Sequence, residues 1–198
     1  MKAINFLVVG VGGQGALLAS NVLAEVGVRA GYDVKKAEVH GMSQRGGSVN
    51  SHVRWGQDVK SPVIGEGEVD VLFSLEKLET LRYVSMLRRG GAVLVGEFVI
   101  PPLTVSSGDD DYPDDAAIAG VFSQVTERFD FVPTLGLAKA AGSSRAHNVV
   151  LLGALSVIID AVPLEIWLQV IAERVPKKYV QVNQKAFRLG KEIVSKDD

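Results

Sequence analysis

Gly10-Val11-Gly12-Gly13-Gln14-Gly15 is the stretch on which the reading of this chain turns. The residues before it, Ile4-Asn5-Phe6-Leu7-Val8-Val9, form an apolar run of strand length. The residues after it, Ala16-Leu17-Leu18-Ala19-Ser20-Asn21-Val22-Leu23-Ala24, have helical character. A strand that feeds a tight glycine turn and opens into a helix is an anion-binding device. Glycine lets the backbone bend sharply and approach a ligand, and the unpaired N–H groups of the helix start face that ligand. The spacing also matches the dinucleotide fingerprint G-x-G-x-x-G, so a nicotinamide enzyme is the first alternative to weigh.

Working outward, Leu18, Val22, Val26 and Ala30 keep helical spacing, and Gly31 supplies the stop. The pattern predicts a strand at 34–39, a glycine-rich arm at 40–48 and a half-exposed strand at 49–55. It then predicts a loop at 56–68, a buried strand at 69–73, a helix at 76–87 and a core strand at 92–96. The polar interruption at 101–115 carries Asp109-Asp110-Asp111 and Asp114-Asp115, which read as solvated and helix-capping acids. A helix at 116–128 and a short strand at 130–133 follow. From Thr134 onward the pattern is helical, with helices at 146–159, 163–175 and 177–194. Alternating strands and helices predict a Rossmann-like α/β fold, a doubly wound, mainly parallel sheet with a helical C-terminal third. Residues 1–198 read as a single domain, with 1–133 as its α/β core and 134–198 as its helical part.

The bulk properties narrow the function. Of 198 residues, 47% are hydrophobic and 22% charged, which supports a packed core, and the formal net charge of −2 gives no general attraction to nucleic acid or membrane. The longest apolar stretch, 149–162, is broken by Ser156 and Asp160 and falls short of the roughly 20 residues of a membrane span. The first residues show no secretion signal, so a cytoplasmic protein is expected. There is no cysteine, hence no thiolate for a cluster and no thiol nucleophile. His40, His52 and His147 lack metal-ligand spacing; His52 and His147 read as structural or surface residues, and His40, beside the arm, as a possible ligand contact. No Ser/His/Asp arrangement can be placed, so no catalytic residue is assigned.

The nicotinamide reading asks for an acid at the end of the second strand. Glu38 lies near that place, but Val39-His40-Gly41 leads into a glycine-rich arm instead of a simple turn. In that arm, Arg45-Gly46-Gly47-Ser48 can aim a guanidinium, backbone N–H groups and a hydroxyl at one anion. The candidate binding residues are therefore Gly10, Gly12, Gly13, Gln14, Gly15, His40, Arg45, Gly46, Gly47 and Ser48. Gly153, inside an apolar helix, reads as a site of close backbone packing. The helix around Asn183 is amphipathic and suited to pack on the domain or on a partner.

The glycine turn, the Arg45-Gly46-Gly47 arm, the Asn148…Leu152-Gly153-Ala154 helix and the Asn183…Ala186-Phe187 helix together resemble the gamma-type module of the 2-oxoacid:ferredoxin oxidoreductases. Within that family the stretch from Glu38 to Val49 is most similar to the beta subunits of indolepyruvate ferredoxin oxidoreductases. The resemblance implies a subunit of a complex that oxidatively decarboxylates arylpyruvates to aryl-acetyl coenzyme A and passes electrons to ferredoxin. It implies thiamine diphosphate, Mg and 4Fe-4S clusters on a large alpha subunit, and coenzyme A as substrate, with this chain on the coenzyme A side of the site. The residues agree in two respects: no cysteine, and no Gly-Asp-Gly…Asn-Asn signature of thiamine-dependent enzymes. Whether the turn and the arm meet coenzyme A or a partner's acidic surface stays open. The alternatives are a free-standing NAD(P)-dependent dehydrogenase and an assembly module whose turn binds nothing.

Overall fold

The structure is a computed structural model that describes residues 3–40 and 47–194, with the side chain of residue 40 excluded. In chain order the elements are β1 (Ile4–Val11), α1 (Ala16–Arg29), β2 (Asp33–His40), β3 (Ser48–Gly56), β4 (Val69–Ser74) and α2 (Lys77–Arg82). They continue with β5 (Leu87–Gly96), α3 (Leu103–Ser106), α4 (Asp115–Phe122), β6 (Phe129–Val132), α5 (Thr134–Ala141), α6 (His147–Ile158), α7 (Leu164–Arg174) and α8 (Val180–Val194). The sheet order is β2-β3-β1-β4-β5-β6.

Strands β1, β4, β5 and β6 are parallel neighbours, as the βα alternation requires. The exception is β3, which runs antiparallel to both β1 and β2 and lies between them. The sheet is thus mostly parallel with one inserted antiparallel strand. Because β3 is interior to the sheet, most of its inner half is buried, and the half-exposed strand expected at 49–55 is instead a core strand. Trp55 on it is fully buried against Phe6, with ring centroids 4.9 Å apart.

Side-chain alternation along the strands divides the core into two layers. Phe6, Val8, Val53, Trp55, Phe73 and Leu94 face α1 and the C-terminal helices. Leu7, Val9, Leu72, Val93 and Val95 face Ile118 and Phe122 of α4. Helix α6 is buried from His147 to Ser156, so it has no polar face, while α8 buries Ala186, Phe187 and Gly190 and is amphipathic. At Gly153 an added Cβ would land inside the Phe187 carbonyl, and at Gly190 inside the Val150 carbonyl. The two glycines thus let the backbones of α6 and α8 touch, the close packing that Gly153 signals in the sequence.

Two helix lengths differ from the pattern. The helix expected at 76–87 stops at Arg82, and a 3₁₀ turn, Val84–Met86, leads into β5 at Leu87. Leu87 pairs with Val69 and is buried, and Gly90 in a left-handed conformation lets the strand bulge and continue. The helix expected at 116–128 ends at Phe122; Asp114 caps its start by accepting from the Ala117 N–H at 2.8 Å. Among the described residues no helix is long and apolar enough to cross a membrane.

Candidate functional site

The turn between β1 and α1 is built around a glutamine. Gln14 Oε1 accepts from the Val11 N–H at 2.8 Å, and Gln14 Nε2 donates to the Leu75 carbonyl at 3.1 Å. The side chain is buried and both ends of its amide are satisfied inside the chain, so it clamps the end of β1 to the end of β4. Gly13 and Gly15 have φ of 103° and 84°, left-handed values that strain any residue with a Cβ. Gly15 is restricted twice: its carbonyl accepts from Asn148 Nδ2 at 3.1 Å, and an added Cβ would collide with that same amide.

Helix α1 therefore starts at a bare backbone. No side chain caps it and no acid occupies its first turn, so its partial positive end is available to an anion. The Gly12 N–H donates to the Gly47 carbonyl at 2.9 Å, which ties the turn to the foot of the arm. Ser48 pairs across from Val11, and its hydroxyl lies 3.2 Å from the Tyr83 hydroxyl. The structure thus brings Gly10, Gly12, Gly13, Gln14, Gly15, Gly47 and Ser48 together. The His40 side chain, Arg45 and Gly46 lie outside the described residues.

Two cavities flank the turn. One, of about 380 Å³, runs along Gly12, Gly13 and Gly15 to Leu17, Val49 and Ser51 on the β3 side. The other, of about 560 Å³, opens on the opposite side between Gly13, Gly15, Phe98, Arg145, His147 and Asn148. The second sits beyond the carboxyl ends of β1 and β5, where open α/β sheets bind ligands. Its wall at Phe98 is held by Glu76. That buried carboxylate accepts from the Tyr112 hydroxyl at 2.6 Å, the Ile100 N–H at 3.1 Å and the Glu79 N–H at 2.8 Å. Burial and the Glu76 hydrogen bond push the Tyr112 phenol up from its ordinary value.

Arg145, His147 and Asn148 escape a reading by local motif because about 130 residues separate them from the turn in sequence. His147 is 7% exposed, burial holds its imidazole below the usual histidine value, and its Nδ1 has no partner among the described residues. It is a buried polar wall of a cavity, more than the structural or surface residue expected. His52 is structural: its Nδ1 accepts from the Ile64 N–H at 3.2 Å. Burial, aided by the Arg54 charge, lowers its pKa.

The sheet order bears on the nicotinamide alternative. Glu38 pairs with Ser51, which pairs with Val8, so β3 separates this acid from β1 by two strand spacings, about 10 Å. Glu38 is moreover ion-paired with Lys36. In the dinucleotide fold the acid sits on the strand beside β1, next to the turn.

Comparison with known proteins agrees. Residues 5–193 match the family described as pyruvate ferredoxin/flavodoxin oxidoreductase. The chain belongs to this family. Relatives within it include the indolepyruvate oxidoreductase subunit IorB of Thermococcus kodakarensis, 44% identical over 96% of this chain and 95% of that one. The subunit of the same name from Archaeoglobus fulgidus is 42% identical over 94% and 93%. Among solved structures, the keto/oxoacid ferredoxin oxidoreductase gamma subunit of Geobacter sulfurreducens superposes with a TM-score of 0.70 at 25% identity, over 99% of both chains. The pyruvate oxidoreductase subunit PORC of Thermotoga maritima shares the fold, with a TM-score of 0.71 at 23% identity over 97% of each. The pyruvate ferredoxin/flavodoxin oxidoreductase membership, together with the inserted β3, sets the free-standing dehydrogenase reading aside.

Proposed function

We propose that this chain is the small, beta-type subunit of an indolepyruvate:ferredoxin oxidoreductase, a cytoplasmic complex that converts aryl 2-oxoacids to aryl-acetyl coenzyme A. The observation that carries the reading is the 44% identity to an indolepyruvate oxidoreductase subunit over almost the whole of both chains, glycine turn included. The chain has no cysteine, and no group of three or more metal-binding side chains is found among its described residues. Its own residues therefore do not fit iron–sulfur clusters or a metal-anchored thiamine diphosphate, and these groups are assigned to a large alpha subunit, with electrons leaving to ferredoxin.

In this reading the chain contributes binding, not bond-making. The uncapped start of α1 and the backbone around Gly12, Gly13 and Gly15 receive a phosphate of coenzyme A, with Gly47 and Ser48 at the foot of the arm beside the turn and His40, Arg45 and Gly46 as further contacts proposed from the sequence. Gly10 and Gln14 shape the turn: Gln14 takes the Val11 N–H that would otherwise compete for the anion. Binding the coenzyme on a rigid turn would lower the entropic cost of presenting its thiol to the partner's side of the site.

Co-expression with a large subunit that carries the thiamine and iron–sulfur sites tests the proposal. The assembled complex is expected to reduce a viologen dye with indolepyruvate only when coenzyme A is present, and this chain alone is expected to be inactive. Activity of the isolated chain with a nicotinamide coenzyme would refute it.

A further inference from the structure

Segment 97–115 leaves the carboxyl end of β5 and runs through α3 to the start of α4. Two properties set it apart from the rest of the surface. One is charge. Between Arg89 and Arg128 the chain has seven acids, Asp109-Asp110-Asp111 and Asp114-Asp115 among them, and none of its 21 lysines and arginines. All seven are exposed, and among the described residues only Asp115 pairs with a cation, Lys77 Nζ at 2.5 Å. The other property is apolar exposure. Leu103 is 83% exposed and Val99 44%. Both follow the carboxyl end of β5, the edge of the sheet that carries the glycine turn, whereas the exposed Val28 and Val63 lie toward the opposite edge, where β1 begins.

The segment is fastened at both feet to the start of α2. Glu76 Oε1 accepts from the Ile100 N–H at 3.1 Å and from the Tyr112 hydroxyl at 2.6 Å. The Tyr112 hydroxyl in turn accepts from the Leu78 N–H at 3.1 Å, and the Lys77 N–H donates to the Phe98 carbonyl at 3.3 Å. Residues 101–111 thus project from a fixed base. A single exposed leucine is ordinary on a protein surface. An apolar tip held on a fixed base and bordered by charge has the anatomy of an interface, and it loses little freedom when it is covered.

We infer that this projection docks the chain on its large partner subunit, with Leu103 and Val99 entering an apolar pocket there and Asp109, Asp110 and Asp111 facing its lysines and arginines. The inference rests on the subunit reading proposed above. Charge selects the partner's surface: a stretch with acids and no bases attracts a basic rim and repels an acidic one. Position selects the partner. The projection starts at Phe98, a wall of the cavity beside the turn, and this chain brings no catalytic group to that cavity. The chain that docks there is the one that supplies the chemistry, which a second copy of this chain does not.

The test purifies the full chain and the large subunit separately and measures their association by surface plasmon resonance at low and high salt. Leu103→Asp is expected to raise the Kd about tenfold or more, with the melting temperature of the free chain unchanged because this side chain is almost fully exposed there. Replacing Asp109, Asp110 and Asp111 together by asparagine is expected to slow association severalfold at low salt, with the difference fading at high salt. Val63→Asp, toward the opposite edge, should assemble as wild type does. If Leu103→Asp and the triple variant also assemble as wild type does, the docking surface falls and the subunit reading stands. If the free chain forms dimers that Leu103→Asp breaks, the projection meets a second copy and its assignment to the large subunit falls. If wild type does not bind the large subunit, the subunit reading falls and takes the assignment with it.

Discussion

Glycine does opposite things in two regions of this molecule. In the turn at 10–15 it keeps backbone exposed: Gly13 and Gly15 take left-handed conformations, and the helix they open is left without a cap. Between α6 and α8 it buries backbone: Gly153 and Gly190 sit in ordinary helical conformation, each under a carbonyl of the facing helix. The first use costs stability and presents N–H groups to a ligand. The second removes side chains so that two helices can close on each other. An open backbone with unpaired N–H groups suits the binding of an anion, and a covered one serves the packing of helices.

Substituting the glycines should separate the two uses. The largest effect is expected at Gly153→Val or Gly190→Val. Neither the Phe187 nor the Val150 backbone can yield without parting the helices, so a loss of about 3 kcal/mol or more, or failure to fold, should appear in urea denaturation. Gly15→Ala comes next, at about 2 kcal/mol from the left-handed backbone and the collision with Asn148, together with weaker coenzyme A binding. Pairing it with Asn148→Ala should relieve the collision and leave the backbone strain, so the double variant should fall short of the sum of the singles.

Gln14→Ala leaves the Val11 N–H and the Leu75 carbonyl without their partners and is expected to cost about 1–3 kcal/mol in the same assay. Equal stability of this variant and wild type would show that the clamp does not hold the turn. Where the two regions meet, His147 adds a pH term. Burial lowers its pKa and that of His52, so the folded chain binds fewer protons than the unfolded one. Stability is then complete above the ordinary histidine value of 6.5 and is lost as pH falls through it toward the lower folded values. The unfolding free energy should drop between neutral pH and about pH 5.5, by at most about 1.4 kcal/mol per pH unit for each histidine, seen as a lower melting temperature, and His147→Asn should flatten the slope. The smallest effect has the opposite sign. Gly120 is exposed within α4 and an added Cβ meets nothing within 4 Å, so Gly120→Ala should stabilise by about 0.5–1 kcal/mol.

Much of this architecture was legible because it is local. The apolar run at 4–9, the glycine spacing and the period of α1 state a strand–turn–helix within about 30 residues, and Gly153 in an apolar helix stated its own packing. Helix ends were less legible: Leu87 continues the helical period of α2, yet it enters the sheet because Val69 offers a strand partner there. Gln14 was legible as a candidate binding residue of the turn, but only the structure reveals that both ends of its amide are used inside the chain, by the Val11 N–H and the Leu75 carbonyl.

The sequence by itself determined that β1 turns through glycine into α1, that strands and helices alternate over the first two thirds, and that the last third is helical. These follow from residue periodicity and backbone preference, which act over a few residues. Only the tertiary structure decided that β3 enters between β1 and β2, moving Glu38 two strands from β1, and that Arg145, His147 and Asn148 face the turn. Strand order and the meeting of distant helices depend on hydrogen-bond partners and buried surface far apart in the chain. No local pattern carries that information.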